Sequence, residues 1–226
     1  MKILKAIGLF FLALFVLLAL PLLLPRGDVE RRTVIPDSGM PWQIEILEDG
    51  YARVFGIEAG RTPFGEAKHR LGGAPVVALV ATAGGSGSLE AFYESFSAGP
   101  LMGRLVLTLD TTLEEREAIL QRAVKADYME GATRRITLAP EDLARADTRP
   151  VIAFVFVPAV NLDEQIVLQR FGAPSERIRD GEHREHFLYP DKGLDLQLDA
   201  KGREVLQYVA PRDFERLLRA PLRAQQ

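Results

Sequence analysis

Residues 161–174 read Asn161-Leu-Asp-Glu-Gln-Ile-Val-Leu-Gln-Arg-Phe-Gly-Ala-Pro174, and the runs behind them end in Val205-Leu-Gln-Tyr-Val209. Asn161 with Glu164 makes an Asx-type capping box, and an apolar helix runs from there to Gly172. Glu176–Arg179, Arg184–Tyr189, Leu194–Asp199 and Val205–Val209 then read as short strands. Asp180-Gly181, Asp191-Lys-Gly193 and Ala200-Lys-Gly202 are the turns between them. A helix closed by Gly and Pro and followed by an antiparallel meander predicts an α+β fold.

An earlier stretch repeats this order. Arg70-Leu-Gly-Gly-Ala-Pro75 matches Arg170-Phe-Gly-Ala-Pro174, and Leu105-Val-Leu-Thr-Leu-Asp110 matches Leu194-Asp-Leu-Gln-Leu-Asp199. An aromatic strand lies between in each copy, with Phe92-Tyr93 and Phe187-Leu-Tyr189. Gly72 to Leu105 spans 33 positions and Gly172 to Leu194 spans 22, so the first copy is longer by 11. A helix on a small sheet buries one face, so two copies share a core better than one. The expected organisation is an anchor over 1–25, a linker over 26–40 and two α+β modules over 41–126 and 127–226.

The remaining elements fit that plan. Trp42–Ile46 and Tyr51–Phe55 alternate around Glu48-Asp-Gly50, a hairpin signal. Thr62 and Pro63 open a helix that runs to Leu71. Val76–Thr82 and Leu89–Phe96 are predicted strands, joined by the flexible loop Ala83–Ser88. Thr112 and Glu115 form a capping box that starts a helix reaching about Lys125, with Leu113, Ile119, Leu120, Ala123 and Val124 as its apolar side. Arg134–Leu138 reads as a strand and Pro140–Ala146 as a short helix. Val151–Val157 is apolar throughout and reads as a central strand. Asp213–Arg219 is the last predicted helix.

Ala6–Pro25 contains no charged residue. Twenty residues at about 1.5 Å each match a bilayer core of about 30 Å. Lys2 and Lys5 precede the segment and place the N-terminus in the cytoplasm. The run is long for a cleaved signal and ends in Pro21-Leu-Leu-Leu-Pro25-Arg26, without a small-x-small site. The expectation is a single-pass transmembrane helix in the inner (cytoplasmic) membrane, with the C-terminal domain in the periplasm or otherwise outside the cytoplasm. The chain has no Cys, which excludes disulfides, thiolate metal sites, Cys nucleophiles and a lipid-bearing Cys. Lys2 and Lys5 are two of the 28 Lys+Arg, so 26 face 31 Asp+Glu beyond the anchor, a net of −5. No basic block stands out, which argues against nucleic acid as a partner.

Helix, Gly-x-Pro and a three-strand meander with an aromatic strand resemble the small outer-membrane assembly lipoproteins of the BamE (SmpA/OmlA) type. Two such units in tandem resemble the β-lactamase inhibitor protein fold. The resemblance covers Arg61–Asp110 and Leu162–Val209. It departs in lacking a lipid-bearing Cys, in carrying an apolar anchor and in its longer first copy. It implies binding or scaffolding rather than catalysis, with an envelope protein as partner and no cofactor.

Three places could carry chemistry. Glu182-His183-Arg-Glu185-His186 holds ligand-type side chains. Read as a strand, it puts His183 and Glu185 on one face and His186 on the other, which disfavours a metal site. It supports the alternative reading, an envelope hydrolase or metal-dependent enzyme using the His183–His186 region. Gly84-Gly-Ser86-Gly-Ser88 fits neither the nucleophile-elbow nor the phosphate-loop pattern. His69 sits near the end of its helix, where the helix dipole favours a cation. The expected binding face is instead on the last two strands. In Leu194–Asp199 the three Leu face the helix, and Asp195 and Gln197 face the open side. Val205–Val209 offers apolar residues on both alternations. If its Val pair is core, Leu206 and Tyr208 join Asp195 and Gln197 on an open face, where an exposed Tyr is a typical contact residue.

Overall fold

The computed structural model describes residues 39–81, 87–129 and 133–224. The first elements make a small sheet of three strands, β1 (Glu45–Leu47), β2 (Tyr51–Val54) and β3 (Ile57–Glu58). Val54 pairs with Ile57, so Phe55 and Gly56 form a two-residue turn with φ of 53° and 76°. That left-handed pair is the turn whose twist suits a tight hairpin. It costs a non-glycine residue some strain, which burial offsets: Phe55 is 3% exposed. Its ring meets Phe96 at 5.2 Å, Phe156 at 5.7 Å and Tyr208 at 5.9 Å.

The helix α1 (Phe64–Leu71) follows, and Gly72 and Gly73 end it with φ of 66° and 72°. Pro63 rather than Thr62 flanks its start, and the Thr62 hydroxyl accepts from the Glu58 amide instead. Strands β4 (Val76–Ala81), β5 (Ser88–Ala98) and β6 (Leu101–Leu109) make the first meander. The helix α2 (Leu113–Gln121) has the expected Thr112–Glu115 capping box. It is followed by β7 (Lys125–Tyr128), β8 (Arg134–Thr137), the helix α3 (Pro140–Ala146) and β9 (Val151–Pro158). Then come α4 (Glu164–Phe171), β10 (Glu176–Asp180), β11 (Arg184–Tyr189), β12 (Leu194–Asp199) and β13 (Val205–Val209). The C-terminal segment is a 3-10 turn over Pro211–Asp213, a π-helical turn over Glu215–Arg219 and α5 (Ala220–Arg223), not one regular helix.

The cap of α4 is Asp163, not Asn161. The Asp163 carboxylate accepts from the Ile166 amide at 2.7 Å. Leu162, just before the cap, and Val167 are buried in the same core, the pattern of a hydrophobic staple.

Strands β4 to β13 form one antiparallel sheet of ten, in the order β10-β11-β12-β13-β9-β6-β5-β4-β8-β7. This corrects the expectation of two repeated helix-plus-antiparallel-sheet modules, and the transmembrane helix expected before them has no counterpart among the described residues. The two meanders turn their third strands, β6 and β12, inward, and β9 and β13 join them. Both joining strands are apolar on both faces, so neither can end a sheet against water. Strand β7 takes residues 125–128 and runs across the point between 126 and 127 where the modules were expected to part. Among the described residues no helix is long and apolar enough to cross a membrane. The segment Ala6–Pro25 lies outside the described residues, as do most of the linker and of the Gly/Ser loop.

One sheet face carries most of the core. Leu79, Leu89, Leu105, Leu107, Phe154, Phe156, Phe187, Leu196, Leu206 and Tyr208 pack there with residues of α1 to α4 and of the small sheet. On the other face Phe214, Leu218 and Leu222 cover Ala153, Ile178, Leu188 and Val209. Trp42, at the edge of the first cluster, is the earliest aromatic ring packed on it among the described residues. Deleting residues 1–27 is therefore expected to leave a domain with a single sharp unfolding transition. Thermal and urea unfolding followed by circular dichroism checks this, and a broad transition would reject it.

Candidate functional site

The expected binding residues lie on both faces of the sheet. Leu206 and Tyr208 are in the main core, 0% and 1% exposed. The open-face alternative for them is thus corrected: Phe55 of the small sheet and Pro41 meet Tyr208 on one alternation of β13, and Val205, Gln207 and Val209 take the other, which is also buried. Asp195 and Gln197 do share the second face. Asp195 is fully buried and Gln197 half-buried.

The hairpin register explains what Asp195 does there. His186 pairs with Gln197, and Leu188 with Asp195, so His186 and Asp195 are diagonal neighbours on one face. His186 Nδ1 stands 2.9 and 3.0 Å from the two Asp195 oxygens. Their side chains are 4% and 1% exposed. Directly across from Asp195 lies Gln207, also buried, whose Oε1 has no hydrogen-bond partner among the described residues. A polar seam of His186, Asp195 and Gln207 therefore crosses three adjacent strands. The apolar patch under Phe214, Leu218 and Leu222 flanks it, since Ile178 pairs with His186. Arg219 and Arg223 fix that cover by reaching Glu176 at 3.1 and 2.9 Å.

The other members of the histidine cluster are elsewhere. His183 is in the β10–β11 turn, 3.7 Å from Glu182, and Glu185 pairs with Leu198 on the opposite face from His186. His69 is exposed on α1. Among the described residues no three His, Cys, Asp or Glu are grouped so as to hold a metal ion.

A second feature was not visible in the sequence. Between α2 and α3 lies an open cleft of about 320 Å³ with Leu89, Ile119 and Ala146 among its lining residues. Arg122, Arg145 and Arg149 line it together with Glu115 and Asp142. Asp142 is buried and takes Arg122 in a fork, Nη2 at 2.6 Å and Nε at 3.1 Å. Arg145 stands further off, at 3.7 Å. Glu115 accepts from the Thr112 amide and from Arg149, and these bonds hold its carboxyl below the ordinary carboxylate value. Three guanidiniums line the cleft over an apolar floor, and Arg122 also stands 4.0 Å from Glu141 at its edge. That chemistry suits an anionic group with an apolar neighbour. The capping box marks Glu115 in the sequence, but the Arg positions gain meaning only when α3 packs beside α2.

No protein-family model matches the chain, and neither does any curated protein or solved structure.

Proposed function

We propose that the chain is a binding or scaffold module of a cell envelope. Residues 6–25 hold it at the cytoplasmic membrane, and the folded part lies outside the cytoplasm. The observation that chiefly supports binding over catalysis is the sealing of His186 and Asp195. His186 is the member of the histidine cluster that meets a carboxylate within hydrogen-bond distance, and it and Asp195 are each at least 96% buried. A pair held in this way orders the second face of the sheet. The Arg-lined cleft between α2 and α3 is the accessible place for a partner's acidic group.

The test uses the full chain in cells. A photo-crosslinking residue in place of Arg145 is expected to capture the same envelope protein in repeated preparations. The same residue in place of Ile46, which is 55% exposed on the small sheet, should not capture it. A reporter active only outside the cytoplasm, fused after Gln226, should be active. Equal capture from both positions would reject the cleft as the contact site. Activity from a cytoplasmic reporter alone would reject the location.

A further inference from the structure

The ten-stranded sheet has two edges, β10 and β7. We propose that β7 is a self-association edge, on which a second copy of this chain pairs antiparallel about a two-fold axis at Ala126.

The inference starts from which backbone groups face outward. The Met129 amide donates to the Thr133 carbonyl at 2.7 Å, in the register that sets Asp127 opposite Arg135. Inward and outward backbone groups alternate along an antiparallel strand. Lys125 and Asp127 therefore turn their amides and carbonyls toward β8, and Ala126 and Tyr128 turn theirs to the open edge. Side chains alternate as well, so Lys125 and Asp127 share one face, and Ala126 and Tyr128 the other. Tyr128 is 82% exposed.

A two-fold pairing keeps each face on its own side, so it must be centred on a residue. Centred on Lys125 it sets Lys against Lys, and centred on Asp127 it sets Asp against Asp. Centred on Ala126 it sets each Lys125 opposite Asp127 of the second copy. Opposite charges directly across a pair of strands attract and like charges repel, so charge selects Ala126. The outward backbone groups of Ala126 then pair with their own symmetry mates. Within one copy Lys125 Nζ is already 2.7 Å from Asp127 Oδ1. Across the axis the same side chains exchange partners. A lysine on an edge usually discourages pairing; the acid two positions on makes this edge self-complementary.

The opposite edge shows the contrast. Centred on Ile178, β10 would set Arg177 against Arg179 and Glu176 against Asp180, like charges on both faces. Arg219 and Arg223 also engage its Glu176. The short β7 edge buries less than the roughly 1,000 Å² of stable interfaces, so the contact is weak in dilute solution. Confinement of both copies to one membrane, as proposed above, raises their effective concentration.

The chain has no native Cys, which makes the register testable by single cysteines in the full-length protein. Across the axis the two Ala126 Cα atoms come to about 5.5 Å, within disulfide reach. The two Tyr128 positions stay about 14 Å apart along the strands. Mild oxidation of membranes should therefore crosslink Ala126→Cys at least tenfold faster than Tyr128→Cys, although Tyr128 is a highly exposed position. Added to Ala126→Cys, Lys125→Asp or Asp127→Lys alone should abolish crosslinking. The two charge variants mixed should restore it, because each then finds the opposite charge. Equal crosslinking at 126 and 128 would overturn the proposal, since that is collision. A mixture no better than either charge variant alone would overturn it too.

Discussion

Replacing Tyr208 by Ala is expected to destabilise the domain by about 3–5 kcal/mol, the range for removing a large aromatic from a packed core. The ring is stacked on Phe154 with centroids 5.0 Å apart and meets Phe55 edge-on at 5.9 Å. Its hydroxyl donates to the Pro41 carbonyl at 2.9 Å, which ties the start of the described chain to the centre of the sheet. Burial holds the phenol well above its ordinary pKa, so it stays a neutral donor throughout the working pH range. Tyr208→Phe keeps the packing and loses that one bond, so about 1 kcal/mol is expected from it. Urea unfolding of the 28–226 domain and the two variants measures both. A loss under about 0.5 kcal/mol from Tyr208→Ala would be a surface value and would reject the core assignment.

The ambiguity at Tyr208 shows what the sequence carries and what it leaves open. Turn residues, capping boxes and alternation located almost every element of the large sheet, because those signals are local. Val205–Val209 has apolar residues on both alternations, and local pattern cannot then say which face meets the helices. Both faces proved covered, one inside the main core and the other, at Val209, by the C-terminal segment. The same double burial in β9 and β13 lets two half-sheets merge, which a repeat read along the chain does not reveal. Residues 122–128 misled for another reason. The capping box starts α2 correctly, and apolar spacing carries a helical pattern on to Lys125. Instead Arg122 forks onto Asp142 and the Val124 amide bonds the Thr137 carbonyl, so the chain leaves the helix and becomes an edge strand. The site features were hidden in the same way. His186 and Asp195 are nine positions apart, and only the hairpin register makes them diagonal neighbours.

The domain is expected to lose stability as pH rises from about 4.5 to 7, and Glu90→Gln should remove that part of the loss. Glu90 lies on the second sheet face, between Ala78 and Thr108 on the neighbouring strands, and is 5% exposed. Burial pushes its carboxyl from 4.5 up to about 7, only partly opposed by the hydroxyl of Ser88, which donates to it at 2.5 Å. Between those two values the folded chain holds a proton that the unfolded chain has released. Stability therefore falls with rising pH across that window and levels off above it. At about 1.4 kcal/mol for each tenfold in proton concentration, the full effect is on the order of 3 kcal/mol. Glutamine keeps an oxygen for Ser88 and has no charge to bury. Glu90→Gln should match the native residue near pH 4 and exceed it by up to about 3 kcal/mol at pH 8. Urea unfolding at pH 4, 6 and 8, taken as the difference between the two proteins, isolates this group from the other carboxylates. A difference that stays constant with pH would mean that Glu90 ionises as an ordinary surface acid, and that its burial does not govern its charge.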